Sequence, residues 1–183
     1  MYRTDSELIQ ACLDGNESAW NELIDRYKRL IYSIPLRQGL SMTDADDVFQ
    51  NVFTIVFRRL DTLRNQKLLA AWLIRITYNE CQHLRKRMPA TGEIPETLAD
   101  PQMPAEDEVE LLERRHMVRV AMEQLDPRCR ELLTALFLSS PAQSYEQVAS
   151  RLGIPTGSIG PTRTRCFKKL QTILDEMGID LST

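Results

Sequence analysis

The sequence predicts an all-α protein of two small helical domains joined by an acidic, proline-containing linker, the C-terminal domain being a helix-turn-helix. Three observations predict it. The 183-residue chain is 43% hydrophobic with only seven glycines, and its apolar residues recur at helical spacing. From Pro89 to Glu113 there are four prolines, eight acids and no lysine or arginine. Near the C-terminus, "SYEQVASRLGIPTGSIGPTRTRCFKKLQ" (residues 144–171) sets two amphipathic segments on either side of a Gly-Ile-Pro break. These features place an N-terminal helical domain at 1–88, a flexible acidic linker at 89–106 and a C-terminal domain at 107–183.

The first helix is expected from about Ser6 to Asp14, with Leu8, Ile9, Cys12 and Leu13 on one side and Gly15 closing it. The second, Glu17 to Ser33, buries Trp20, Leu23, Ile24, Tyr27, Leu30 and Ile31, and Pro35 marks its end. Thr43 reads as the N-cap of the third, with Asp44, Asp46 and Asp47 in a first turn where the helix dipole favours acids. That helix runs on through "VFQNVFTIVFRRL", with Phe49, Val52, Phe53, Val56, Phe57 and Leu60 on an apolar face. A polar turn, "DTLRNQK", leads into "LLAAWLIRITYNECQHLRKR", with Leu69, Trp72, Leu73, Ile76 and Leu84 inward. The prolines and like charges of the linker predict an extended chain. From about Glu106 the pattern turns helical, with Val109, Leu112, His116, Val120 and Leu125 on one stripe.

The four cysteines, at 12, 81, 129 and 166, form no Cys-x-x-Cys pair, which fits reduced thiols better than a disulfide frame or a zinc site. No apolar run approaches the roughly 18 residues of a membrane span. The N-terminus lacks the apolar stretch of a signal peptide, so a cytoplasmic protein without membrane insertion is expected.

In the C-terminal segment Ser144 is a natural N-cap, and Tyr145, Val148, Ala149 and Leu152 share a side. Gly153 and Pro155 break the helix, and Ile159, Cys166, Leu170 and Ile173 or Leu174 line the next one. With Ser158 as N-cap, Pro161 falls at the third helical position, where its missing N–H costs no intrahelical bond. Arg151 to Lys169 holds five basic residues and no acid, in a chain of net charge −3. Contact electrostatics are local, so the acidic total does not oppose DNA binding. In such units the second helix enters the major groove. Arg163 and Arg165 are then suited to guanine or phosphate, and Lys168 and Lys169 to phosphate. The alternative is a solvated basic helix in an αα-hairpin.

Two longer stretches carry a resemblance. "DADDVFQNVFTIVFRRLDTLRNQKLLAAWLIRITYNECQHLRKR" resembles the second conserved region of extracytoplasmic-function sigma factors. "AMEQLDPRCRELLTALFLSSPAQSYEQVASRLGIPTGSIGPTRTRCFKKLQTIL" resembles their fourth. The resemblance implies a bacterial transcription-initiation subunit that binds core RNA polymerase and promoter DNA, with no chemistry and no cofactor of its own. An anti-sigma factor is a further implied partner, although no residue identifies one, and the free protein is expected to be monomeric. Asp44, Asp46, Asp47, Gln50 and Asn51 would face polymerase; the bland reading is acids matched to a helix dipole. Arg64, Asn65, Gln66 and Lys67 would hold a flipped minus-ten base, or form an ordinary polar loop. Arg75, Asn79, Gln82 and Lys86 share a helix face towards upstream minus-ten DNA, while Trp72 falls on the core side. Ser158, Thr162, Arg163, Arg165, Lys168 and Lys169 would meet the minus-35 element.

The chain departs from the family where Gly160, Pro161 and Thr162 stand in place of a basic residue followed by Ser-Arg, so an altered minus-35 preference is expected. It also lacks the aromatic cluster that housekeeping sigma factors use in melting. Two other readings compete. Glu80 with His83 and Glu113 with His116 are Glu-x-x-His pairs, half of a di-iron bundle, but flanking arginines and lysines argue against a buried metal. A stand-alone helix-turn-helix regulator explains residues 144–171 equally well and leaves the N-terminal half unexplained.

Overall fold

The structure is a computed structural model that describes residues 3–87, 105–141 and 143–177. Most of the expected linker therefore lies outside the described residues. The helices are α1 (Asp5–Leu13), α2 (Glu17–Arg37), α3 (Met42–Arg59), α4 (Leu69–Arg87), α5 (Glu106–Gln124), α6 (Pro127–Leu133), α7 (Tyr145–Leu152) and α8 (Ile159–Glu176). Among the described residues there is no strand, so the protein is all-α as expected, and no helix is long and apolar enough to cross a membrane. The chain divides into two compact units, residues 1–114 and 115–183.

In the first unit Thr4 caps α1 through a reciprocal pair with Glu7. Gly15, at φ +83°, then turns the chain directly into α2, capped by Asn16. Leu8, Leu23, Ile31, Val52, Val56, Leu69, Leu73 and Ile74 meet in one core. Full burial of such a side chain contributes about 1.5–3 kcal/mol. Tyr27 is buried among them, and its hydroxyl donates to Asp5 at 2.5 Å. The Arg26 guanidinium bridges Asp5 and Glu22 at 2.7 Å each, fastening α1 to α2.

Several local expectations change. Pro35 does not end α2, which continues to Arg37. The proline sits in the last turn, where one lost backbone bond is offset by burial of Ile34 and Pro35. The N-cap of α3 is Ser41 and not Thr43. The Ser41 hydroxyl accepts the Asp44 N–H at 3.1 Å, and the Asp44 carboxylate accepts the Ser41 N–H at 3.2 Å. Phe57 is not on the buried face: it is 69% exposed, with its ring 5.2 Å from that of Trp20. On α4 the fully inward residues are Leu69, Ala70, Leu73, Ile74, Thr77 and Cys81, while Trp72, Ile76 and Leu84 pack at the margin of the core.

The stripe expected along α5 is buried, but it serves two cores. Val109 and Leu112 join the core of residues 1–114, and Ala121, Met122 and Leu125 join that of residues 115–183. The second core adds Leu132, Leu133, Val148, Ile159, Leu170 and Leu174 from α6, α7 and α8. It also contains a disulfide between Cys129 and Cys166, with Cα atoms 5.2 Å apart. Two of the four thiols expected to be reduced are thus paired; packing of α6 on α8 joins residues 37 apart in sequence. Cys12 and Cys81 are free and buried, and burial pushes their thiols up to about 11 and about 12.

Candidate nucleic-acid interface

The C-terminal helix pair forms as the local chemistry dictates. Ser144 caps α7 in a reciprocal pair with Gln147. Gly153 ends it at φ +63°, with the Ile154 N–H donating to the Ala149 carbonyl at 3.0 Å. A short 3-10 turn, Thr156–Ser158, follows, and α8 begins at Ile159. Pro161 therefore falls where its missing N–H leaves no gap. Ser158 precedes the helix, but its side chain makes no capping bond. Gly160 faces open space: a Cβ there would meet nothing within 4 Å.

Thr162 turns inward and is buried, so it lies under α8 and not on its exposed face. Arg163 donates to the Tyr145 hydroxyl at 2.6 Å. Arg165 reaches back to the Thr162 hydroxyl at a long 3.4 Å. The Lys169 ammonium donates to Asp126 at 2.7 Å, and that bond, with the Cys129 N–H on the same carboxylate, holds Asp126 below the usual carboxylate range. Arg165, Lys168 and Lys169 are exposed, and Arg163 is half-buried against α7. Arg165, Lys168 and Lys169 lie at i, i+3 and i+4 on α8, and Lys169 reaches Asp126, the cap of α6.

In the first unit the acids of α3 separate into two groups. Asp44 belongs to the cap, and Asp46 accepts from the Tyr32 hydroxyl at 2.7 Å. Asp47, Gln50 and Asn51 are exposed and lie at i, i+3 and i+4 on one face. Beneath that helix Tyr32 stacks on Phe49 at 4.7 Å between centroids. Between α3 and α4 two 3-10 turns, Leu60–Thr62 and Gln66–Leu68, flank exposed Arg64 and Asn65. Gln66 is half-buried, and the side chain of Lys67 lies outside what the structure describes.

Along α4, Arg75, Asn79 and Lys86 are exposed and Gln82 is half-buried. Arg85, Lys86 and Arg87 fill the last turn, where cations suit the helix dipole. Arg85 also donates to the Gln38 carbonyl. Arg75 meets Glu106 at 2.5 Å, and the Tyr78 hydroxyl meets Glu108 at 2.8 Å. Sequence reasoning missed Glu106, Glu108, Tyr145 and Asp126. Each acts across 18 or more residues of chain, which periodicity does not reveal. The Glu-x-x-His pairs divide: His83 is exposed and His116 buried. Among the described residues no group of three or more His, Cys, Asp or Glu is placed to hold a metal.

A family model described as Sigma-70 region 2 matches residues 23–88, which include α3, the turn after it and α4. The RNA polymerase sigma factor NccH of Alcaligenes xylosoxydans xylosoxydans is 25% identical, covering 96% of this chain and 97% of its own. The ECF RNA polymerase sigma-E factor of Escherichia coli K12 is 26% identical, covering 93% and 92%. A solved structure of CnrH in complex with the cytosolic domain of CnrY is 24% identical over 94% of this chain and 97% of that one, with a TM-score of 0.42. The relatives match end to end and carry both halves together, which a stand-alone helix-turn-helix regulator would not. Residues 23–88 are thus a Sigma-70 region 2 segment, and over nearly its whole length the chain is similar to extracytoplasmic-function RNA polymerase sigma factors.

Proposed function

We propose that this chain binds core RNA polymerase through the polar face of α3 and carries it to promoters read at two places, by the first unit at the minus-ten element and by α8 at the minus-35 element. One observation carries the proposal: a single chain pairs a region-2 unit, whose α3 presents Asp47, Gln50 and Asn51 to solvent, with a second unit whose α8 presents Arg165 and Lys168. Asp46 and Asp44 support α3 from below, through Tyr32 and the helix cap.

At the minus-ten element Arg64, Asn65, Gln66 and Lys67 offer donors to an unpaired base edge, and Arg75, Asn79, Gln82 and Lys86 line the duplex beside it. Extruding a base costs a few kcal/mol, which the loop's donors offset in part. At the minus-35 element Arg165 and Lys168 sit one turn apart for phosphate or guanine, with Arg163 held by Tyr145 and Ser158 at the helix entry. Thr162 acts by packing beneath them. The chain moves no electrons and breaks no bonds; it supplies position and donors. The further reading of an anti-sigma partner rests on the family alone.

The test is promoter-directed transcription by core polymerase reconstituted with the chain. Arg165→Ala with Lys168→Ala should lower initiation at a promoter with a minus-35 element and flatten the dependence of log affinity on log salt by about one to two units. Initiation that is unchanged in the double variant would remove α8 from minus-35 recognition.

A further inference from the structure

On α4, Arg75 and Tyr78 stand one turn apart, and both are met by the first turn of α5. Glu106 accepts from the Arg75 guanidinium at 2.5 Å, and Glu108 accepts from the Tyr78 hydroxyl at 2.8 Å. These partners lie 31 and 30 residues away along the chain. Just after them Val109 and Leu112 are buried in the same core as Leu73 and Ile74 of α4. The apolar side of the segment is seated, so its carboxylates are kept beside α4 at high effective concentration. An exposed ion pair alone would add little. A carboxylate on a guanidinium also takes the donors that a phosphate oxygen takes.

We infer that residues 106–112 are a built-in occupant of the α4 edge, an acidic helical turn that competes with promoter DNA for Arg75. The edge therefore fits an anion, supplied in cis by α5 and in trans by the DNA backbone. Tyr78 strengthens the cis arrangement: its hydroxyl donates to Glu108, and burial first, with that bond second, pushes the phenol well above the usual range. The inference rests on the reading of α4 as a DNA-facing helix.

The experiment measures binding of the free, full-length chain to a fluorescein-labelled fork-junction DNA of mixed sequence by anisotropy. Glu106→Gln with Glu108→Gln removes the two acids that touch α4. Asp107→Asn with Glu110→Gln removes the same charge from the same helix without touching it, because Glu110 pairs with Arg114 at 2.7 Å. The first variant should bind about fivefold more tightly than the control variant, and adding Arg75→Ala should abolish that gain. Equal affinities for the two variants, with Arg75→Ala still weakening binding, would overturn the competition and leave the DNA role of α4 standing. If Arg75→Ala changes binding in neither background, both the competition and the role of α4 fall.

Discussion

Asp5 and Asp126 do nearly the same job in the two units. Each stands at the start of a helix and fastens it to a second helix through a cation, and each accepts one further hydrogen bond. Asp5 holds Arg26 at 2.7 Å and the Tyr27 hydroxyl at 2.5 Å. Asp126 holds Lys169 at 2.7 Å and the Cys129 N–H at 3.0 Å. Burial separates them. The Arg26 and Asp5 side chains are 5% and 16% exposed, those of Lys169 and Asp126 59% and 40%. A buried pair is committed to the fold, because losing one partner leaves the other charge without water or a counter-charge. An exposed pair exchanges its partner at little cost. Arg26 is thus an architectural cation, whereas Lys169 is able to trade Asp126 for a phosphate. The same logic applies to Arg75, which is half-exposed and faces an acid that is more exposed still.

The comparison breaks first at Asp5. Asp5→Ala should destabilise residues 1–114 by about 2–3 kcal/mol, since it removes the carboxylate that both the Tyr27 hydroxyl and the Arg26 guanidinium meet. Both tryptophans, Trp20 and Trp72, lie in that unit, so denaturation followed by their fluorescence reads it directly. Asp126→Ala should cost about 1 kcal/mol, chiefly from the lost cap of α6. It should leave the tryptophan transition unmoved, so circular dichroism is the measure, and DNA binding should strengthen slightly as Lys169 is released. An Asp126 effect as large as that of Asp5 would mean that exposure does not rank these contacts.

A smaller effect belongs to Glu113. Burial raises its carboxyl above the usual range, and Asp5 and Glu110 push the same way. The folded unit therefore holds this proton more tightly than the unfolded chain. Its contribution is fully present below the ordinary glutamate pKa and is lost as pH rises through the raised value, so at neutral pH the charge is a net cost. Glu113→Gln should raise the fluorescence midpoint of residues 1–114 at pH 7 and leave it nearly unchanged at pH 4. A lower midpoint at pH 7 would reverse the sign of that account.

Most of the helices were legible because apolar spacing at 3.6 residues survives along them, including the stripe from Val109 to Leu125, whereas Leu13 and Phe57 are exposed despite it. The start of α8 was legible because Pro161 tolerates few positions. Other features depend on which neighbours a face meets. Ser41 and Thr43 are both reasonable caps, and the choice is settled by the reciprocal bond with Asp44. Phe57 matches the apolar period of α3 yet stands outside the core, 69% exposed with its ring against Trp20. The Cys129–Cys166 pair, the Tyr145–Arg163 bond and the seat of Glu106 on Arg75 all need two remote helices placed first. Among the site residues, Asp47, Gln50, Asn51, Arg165 and Lys168 were legible as exposed polar positions. Thr162 was misplaced although its spacing shows the face: it follows Ile159 by three residues and precedes Cys166 by four, on the buried stripe of α8.

The most direct measurement of the central claim is gel filtration of the chain with bacterial core RNA polymerase, repeated with Asp47→Arg and with Gln50→Arg. Both residues are exposed on α3 and outside the core, so neither change should disturb folding. The account predicts co-elution of the wild-type chain, weakened about tenfold or more by either reversal through a desolvated like-charge contact. Wild-type co-elution that both variants retain in full would contradict the assignment of the polymerase contact to α3.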